Sequence, residues 1–266
     1  MIPLRTALQH LGQAPAVLVT VLDVRGSVPR GSGTRMLVFA DRFPATIGGG
    51  HLEFQAIAHA RRLLDGQVQE LQLRHVLGPS LGQCCGGAVE LGFERVGAAD
   101  AARVARLLTP ARQALALFGG GHVGRAIVNT LAPLPFAVRW IDSRDEIFPD
   151  GVPEGVECEH SSPVQAAVAD LAPGSRVLIM SFSHAEDLDV VAACLKRQRE
   201  HNDVRYIGLI GSKTKWATFR HRLEARGFTE QELAFVTCPI GVPGITGKEP
   251  EVIAVAVAAQ LLQLPT

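Results

Sequence analysis

The stretch Gln113-Ala-Leu-Ala-Leu-Phe-Gly-Gly-Gly-His-Val-Gly124 decides the fold. A short apolar run, Leu115 to Phe118, leads straight into Gly119-x-Gly121-x-x-Gly124, and Arg125-Ala-Ile-Val-Asn-Thr-Leu131 follows with a helical pattern. Strand, glycine turn and helix in that order is the context a dinucleotide-binding unit requires. The first glycine permits the tight turn, the second lets the backbone approach a pyrophosphate, and the third lets helix pack on strand. The start of the helix then offers free N–H groups and partial positive charge to an anion. Phe136-Ala-Val-Arg-Trp-Ile-Asp142 reads as a second strand, and Asp142, eighteen residues past Gly124, stands where a ribose-binding acid belongs. The competing reading is a glycine turn of some other α/β unit, with Asp142 an ordinary strand-end residue.

Outward from that stretch, composition narrows the class. With 266 residues, 47% hydrophobic and 20% charged, the chain suits one large or two modest globular domains with an aliphatic core. Lys+Arg and Asp+Glu balance at 26 each, so no overall field favours nucleic acid or an anionic membrane. The apolar run Ala16–Leu22 is too short for a signal-peptide core with its cleavage site, or for a membrane span. Five cysteines argue against a disulfide framework, and the expected compartment is the reducing cytoplasm.

Before the glycine stretch, the pattern predicts a short helix at Leu4–Leu11, strands at Ala16–Val24 and Arg35–Phe39, and a helix at His51–Leu64. Strands at Val68–Val76, alternating with period two, and at Ala88–Val96 follow, then a helix at Ala98–Leu108. After it, strands alternate with helices, which implies a parallel sheet. The expected elements are a strand at Val156–His160, a helix at Pro163–Leu171 and an apolar strand at Arg176–Phe182. A helix from Glu186 to about Arg199, a strand at Val204–Ile210 and a helix from Gly211 to near Gly227 come next. A last strand at Leu233–Thr237 precedes a helix at Glu251–Leu264, apolar on nearly every face and so expected to be buried, as core or as a homodimer contact. The fold class is α/β: a mixed α+β N-terminal domain over residues 1–97, a linker helix over 98–111, and a Rossmann-like domain with a mostly parallel sheet over 112–266.

Ligands of an open parallel sheet bind beyond the carboxyl ends of its strands. Those ends carry Gly119 to Gly124, Asp142 to Arg144, Ser183-His184, and Gly211-Ser212-Lys213. Gly208-Leu-Ile-Gly211-Ser-Lys213 fails the Walker A spacing, but Lys213 would meet a phosphate at a helix start; otherwise it is a solvated lysine. His184 reads equally as a proton-transfer group or a solvated loop histidine, and Glu186, Asp187 and Asp189 read as acids complementing a helix dipole. In the first domain, Ile47-Gly48-Gly49-Gly50 also opens a helix and is either a second anion cradle or a plain turn. Cys84-Cys85 has the wrong spacing for structural zinc; in its glycine-rich loop it reads as a pair able to approach a soft metal or accept sulfur, or as buried hydrophobes. Cys158 and Cys194 read as core residues, and Cys238, before Pro239 in a glycine-rich loop, stands out among the remaining three. No Ser-His-Asp set, HExxH or nucleophile elbow occurs, so no metal site or hydrolytic site is assigned.

In order, Gly26-Ser-Val-Pro-Arg30, Ile47-Gly-Gly-Gly-His-Leu-Glu53, Leu81-Gly-Gln-Cys-Cys-Gly-Gly87, Leu117-Phe-Gly-Gly-Gly-His-Val-Gly-Arg-Ala126, Tyr206-Ile-Gly-Leu-Ile-Gly-Ser-Lys213 and Cys238-Pro-Ile-Gly241 resemble the XdhC/CoxI family. These are the xanthine dehydrogenase accessory proteins. Each piece is weak alone; the ordered set spans nearly the whole chain. Two positions depart from the family pattern: His51 stands in place of a cysteine, and Ser181-Phe-Ser183-His184 in place of a Thr-His-Asp-His-like run.

The resemblance implies a non-enzymatic maturation role. Such proteins bind molybdenum cofactor, shelter it while a cysteine desulfurase supplies the sulfido ligand, and deliver it to the molybdenum subunit of xanthine dehydrogenase. The residues it implicates are Gly26, Ser27, Arg30, Gly48, Gly49, Gly50, Glu53, Gln83, Cys84, Cys85 and Gly86 in the first half. In the second they are Gly119, Gly121, His122, Gly124, Asp142, His184, Gly211, Ser212 and Lys213. The glycine turns would grip the phosphate; Ser27, Arg30, Glu53, Gln83 and His184 would contact the pterin; Cys84 or Cys85 would offer a soft ligand. The alternatives are an NAD(P)- or flavin-dependent oxidoreductase built on Asp142 and the Rossmann cleft, and a nucleotide-sensing module.

Overall fold

The computed structural model describes residues 4–77, 87–109 and 112–265. The chain divides into two compact units, Met1–Pro110 and Ala111–Thr266.

The first unit is built on a four-stranded antiparallel sheet. Helix α1 (Leu4–Leu11) leads to β1 (Ala16–Arg25) and β2 (Arg35–Val38), then helix α2 (Gly50–Leu64), β3 (Gln72–Val76) and β4 (Ala88–Val96). The strand order is β2-β1-β4-β3. Val17, Val19 and Val21 of β1 join Val89, Leu91 and Phe93 of β4 in packing against Leu52, Ala56, Ala60 and Leu63 of α2. The opposite face, with Leu18, Leu37 and Val96, is closed by α1 and by helix α3 (Ala101–Leu108), which contributes Val104.

The strand expected over Val68–Val76 begins only at Gln72. Its pairing with β4 runs from Gln72↔Gly92 to Val76↔Ala88, with one further bond from Phe93 N–H to Leu71 C=O. The alternation continues upstream, but beyond Leu71 the chain makes no ladder pairs with Glu94–Val96 at the end of β4. Periodicity reports a face, not a pairing partner.

The second unit carries a six-stranded, fully parallel sheet. Its elements are β5 (Gln113–Phe118), α4 (His122–Leu131), β6 (Phe136–Asp142), β7 (Val156–His160), a 3₁₀ segment (Val164–Asp170), β8 (Ser175–Ile179), α5 (His184–His201), β9 (Val204–Leu209), α6 (Lys213–Ala225), α7 (Glu230–Leu233), β10 (Val236–Thr237) and α8 (Pro250–Gln263). The order β10-β9-β8-β5-β6-β7 is the doubly wound arrangement, with its topological switch point between β5 and β8. Helices α4 and α8 cover one face, over Leu115, Leu117, Val138 and Trp140. The 3₁₀ segment, α5 and α6 cover the other, over Ala116, Phe118, Val177 and Ile179.

Three expectations are corrected here. Pro163–Leu171 winds as 3₁₀ rather than α; Pro163 sits at its N-cap, and Leu171 turns extended with ψ 140° just before Ala172-Pro173. Leu233 ends a helix rather than starting a strand. Thr229 and Glu232 form a reciprocal capping box, and only Val236–Thr237 pair with β9. Helix α8 buries Ala254, Val257, Ala258 and Leu261 but leaves Val255 and Leu262 about half exposed. Its apolar character therefore exceeds what its packing uses.

Candidate functional site

The carboxyl ends of the parallel strands assemble as the sequence predicts, and the glycine turn divides its duties. A methyl group on Gly124 would stand 2.0 Å from the Gly119 carbonyl oxygen, and one on Gly119 2.0 Å from the Met180 carbonyl. These glycines are imposed by packing of helix and neighbouring strand at the switch point. Around Gly121, by contrast, no atom beyond its chain neighbours lies within 4 Å of where a Cβ would be. The position closest to an approaching ligand is the one left open. Among the described residues, the N–H groups of Gly121 and His122 have no hydrogen-bond partner, as expected for the first turn of a helix. They border a cavity of about 310 Å³ lined by Gly120, Gly121, His122, Arg125, Arg144 and Ile147. A larger cavity of about 660 Å³ lies along Ala114, Ala137, Glu157 and Ser175, in the amino-terminal halves of the strands. It is remote from the glycine turn.

Asp142 occupies the expected place but not the expected state. The residue is only 1% exposed, and its carboxylate accepts four N–H bonds. Gly120 N–H donates at 2.5 Å to Oδ2 and Arg144 N–H at 2.9 Å to Oδ1, while the Arg144 guanidinium adds 2.8 Å from Nε and 2.9 Å from Nη2. Burial alone would raise its pKa; the Arg144 pair and the two backbone donors more than offset that and hold the carboxyl below the usual carboxylate range. Arg144 in turn lies over the Phe182 ring, 4.6 Å from its centroid, and Phe182 is 65% exposed. Glu186, the other acid acting on this arginine, is engaged by the Ser143 hydroxyl and the Phe182 N–H.

The residues at the other strand ends do not line this cavity. His184 is exposed at the start of α5, edge-on to Phe219, and does not line the cavity. Lys213 is a solvated first-turn lysine, whereas the Lys215 side chain is only 12% exposed. Its ammonium reaches Asp187 at 2.6 Å and the Ile210 carbonyl at 2.8 Å. Asp187, buried, also accepts from Ser181 N–H at 2.7 Å, so it ties two strand-end turns together rather than merely facing a helix dipole. Gly211 makes room for this lysine, since a Cβ there would stand 2.6 Å from its Cδ. Ser212 caps α6 by accepting from Lys215 N–H. Cys238 is half-buried, and burial pushes its thiol up to about 11, so it rests protonated.

In the first unit, the motif loops meet at one end of the sheet. Gly48 packs on Pro29 and Arg30: a Cβ there would lie 2.7 Å from the proline Cβ. Gly87 packs on the Arg25 and Ser27 carbonyls, 2.5 Å from each by the same measure. Gly26, Ser27 and Arg30 are exposed there. Gly48, Gly49 and Gly50 have φ of 122°, 75° and 66°, a run only glycine adopts readily. The turn that reads as either a second anion cradle or a plain turn is braced by its own acid. Glu53 Oε2 accepts from Ile47 N–H at 3.0 Å, Gly49 N–H at 3.1 Å and the Thr46 hydroxyl, and Gly48 N–H donates to that hydroxyl at 3.0 Å. Glu53 is thus an anion of its own turn, and with Gly50 it also lines a cavity of about 570 Å³ beside Phe43, Phe54 and Arg61. On the same helix, Gln55 links His51 to His75, with Nδ1 of His75 3.1 Å from the amide oxygen. Gln83, Cys84, Cys85 and Gly86 lie outside the described residues.

Arg125, Ile147 and Phe182 are site residues that sequence reasoning missed. Arg125 follows the fingerprint directly and was legible; Ile147 sits in coil, and Phe182, expected to end the apolar strand Arg176–Phe182, lies beyond β8, which stops at Ile179. Among the described residues, no three His, Cys, Asp or Glu side chains are grouped to hold a metal ion, and no helix is long and apolar enough to cross a membrane.

Comparison with known proteins follows this division. The XdhC Rossmann domain matches residues 115–261, and the XdhC and CoxI family matches residues 11–75. The uncharacterized protein YqeB of Escherichia coli (strain K12) is 29% identical over 257 residues. That match covers 94% of this chain but 43% of YqeB, so the chain spans less than half of that relative. A crystal structure from Bacillus halodurans, described as a xanthine dehydrogenase, superposes with a TM-score of 0.80 at 20% identity. It covers 98% of this chain and 95% of that one, and shares the fold.

Proposed function

The chain belongs to the XdhC and CoxI family, and from that premise we propose that it is an accessory protein for maturation of xanthine dehydrogenase. In this reading it works in the cytoplasm, not as an enzyme. It binds molybdenum cofactor, holds it while a cysteine desulfurase provides sulfur, and hands it to the molybdenum subunit. The observation that carries the reading is the open glycine turn. Gly121 faces free space, and Arg125, Arg144 and His122 border the same cavity, which suits an anion beside a flat polar ring. Molybdenum cofactor has both parts, a phosphate and a pterin, and its metal supplies the redox chemistry of the enzyme that receives it. This chain's residues would only bind and orient it: the N–H groups at the start of α4 and Arg125 against the phosphate, Arg144 on Phe182 beside the ring.

The test is metal and pterin analysis of protein purified from a molybdenum-replete host, paired with a strain lacking the protein. Molybdenum and pterin should co-purify, and the strain should make xanthine dehydrogenase that is inactive for want of sulfurated cofactor. Inactive enzyme already filled with sulfurated cofactor would refute the proposal. A second reading, an NAD(P)-dependent oxidoreductase, draws on the doubly wound strand order. Titration with NAD(H) and NADP(H), followed by a turnover screen, separates the two. His184 and Lys213, the strand-end side chains that could stand over a nicotinamide by position, do not line the cavity.

A further inference from the structure

Asp142 stands where dinucleotide-binding folds place the acid that grips a ribose diol. A carboxylate offers about four lone-pair sites, and here four N–H donors already occupy them. A diol could bind only by displacing Arg144 or the Gly120 N–H. Nor is there room for a contact from above Gly120, where Ile147 lies 2.7 Å from the position of a Cβ. What the pair presents to the cavity is the other half of the ion pair. The Arg144 side chain is 35% exposed, is held in orientation by Asp142 on one side and Phe182 on the other, and lines the cavity with Arg125. The negative groups nearby are committed elsewhere. Glu186 serves Ser143 and Phe182, and Asp145, 84% exposed, lies 3.4 Å from His160.

We propose that Arg144, positioned by Asp142, reads a phosphate monoester, so that the cleft selects a phosphorylated ligand over one presenting a free ribose diol at this point. The proposal deepens the reading of the cavity as a ligand site and rests on it. Arginine suits the task because its planar fork bonds phosphate through two parallel N–H groups and stacks on an aromatic face at the same time. Two kinds of ligand carry such a group: the 2′-phosphate of a pyridine dinucleotide and the phosphate of a pterin cofactor.

Calorimetry on the full chain distinguishes them. One pair of probes is NADP+ and NAD+; the other is an oxidised pterin phosphate before and after phosphatase treatment. In at least one pair the phosphorylated member should bind about 10- to 100-fold more tightly. Arg144→Gln should erase that preference and Arg144→Lys should keep part of it, with circular dichroism confirming that both variants fold. Asp142→Asn should weaken only the phosphorylated member, as expected of a positioning residue; an acid that bound a diol would instead lower NAD+ affinity when changed. The pair that responds names the source of the phosphate. Equal binding within both pairs, no binding in either, tighter binding of NAD+, or a preference that survives Arg144→Gln overturns the proposal. A preference confined to NADP+ would leave it standing while removing the pterin from the maturation reading.

Discussion

Each half of the molecule opens a helix on a glycine-rich turn with an acid close to it in space, and the two turns end in opposite conditions. In the first, Glu53 folds back over Thr46–Gly49 and takes two of the loop amides, Ile47 and Gly49, with the Thr46 hydroxyl. In the second, Asp142 takes only Gly120 N–H from the turn and commits its remaining capacity to Arg144, leaving Gly121 and His122 facing a cavity. Similar composition thus yields one turn braced by its own acid and another whose acid is drawn mainly to an arginine. The distance of the acid from the turn decides which: Glu53 lies within the first turn of the same helix, while Asp142 arrives from the next strand.

That contrast can be broken most forcefully at Gly124. Gly124→Val pushes two methyl groups toward the Gly119 carbonyl, already 2.0 Å from a Cβ, and should cost about 3 kcal/mol by overpacking. Both tryptophans, Trp140 and Trp216, belong to the second unit, so urea titration followed by tryptophan fluorescence reads this loss directly. An unchanged midpoint would mean that helix α4 does not depend on the close approach.

A matched pair sharpens the comparison further. Glu53→Ala strands the loop donors and should cost the first unit about 1–3 kcal/mol, measured by hydrogen exchange of α2, with the tryptophan transition unmoved. Gly121→Ala should change stability by less than about 0.5 kcal/mol, since nothing lies within 4 Å of the new methyl group, yet it should weaken ligand binding. If Gly121→Ala instead destabilised the unit while binding held, the open turn would be a packing feature.

The smallest effect is a difference in acid response. Burial, with a lesser push from His59, holds His75 below the usual histidine range. The folded state therefore prefers neutral His75. Its contribution is complete above the unfolded value of about 6.5 and is lost as pH falls from there through the lower folded value. Asp142 is likewise depressed, so its contribution is complete above about 3.9 and is lost only in stronger acid. Between about pH 7 and 5, on either side of the ordinary histidine value, exchange in β3 relative to the intrinsic amide rate should rise while tryptophan fluorescence stays constant, and His75→Gln should flatten that rise. A rise that persists in the variant assigns it to another group.

Much of this architecture can be read without coordinates. The fingerprint at Gly119–Gly124 sits between a strand and a helix, and alternating strands and helices after it imply the parallel sheet that is present. Thr229 to Glu232 also announces a helix, a signal overshadowed by the apolar residues that follow it. The site is less legible because its decisive contacts join distant positions. Lys213 and Lys215 look alike in sequence; only the approach of Asp187 from another helix makes the second the sheltered one. Similarly, the sequence places an acid at Asp142 but is silent on whether its lone pairs are free.

The Asp187–Lys215 contact has a mechanical consequence. Its carboxylate holds the turn beyond β8 through Ser181 and its ammonium holds the turn beyond β9 through Ile210. Those two segments of rim are thereby stapled into one stiff jaw. Between β6 and β7 the chain carrying Arg144 and Ile147 has no helix to brace it, and what fastens that side of the rim is the tie from Arg144 back to Asp142.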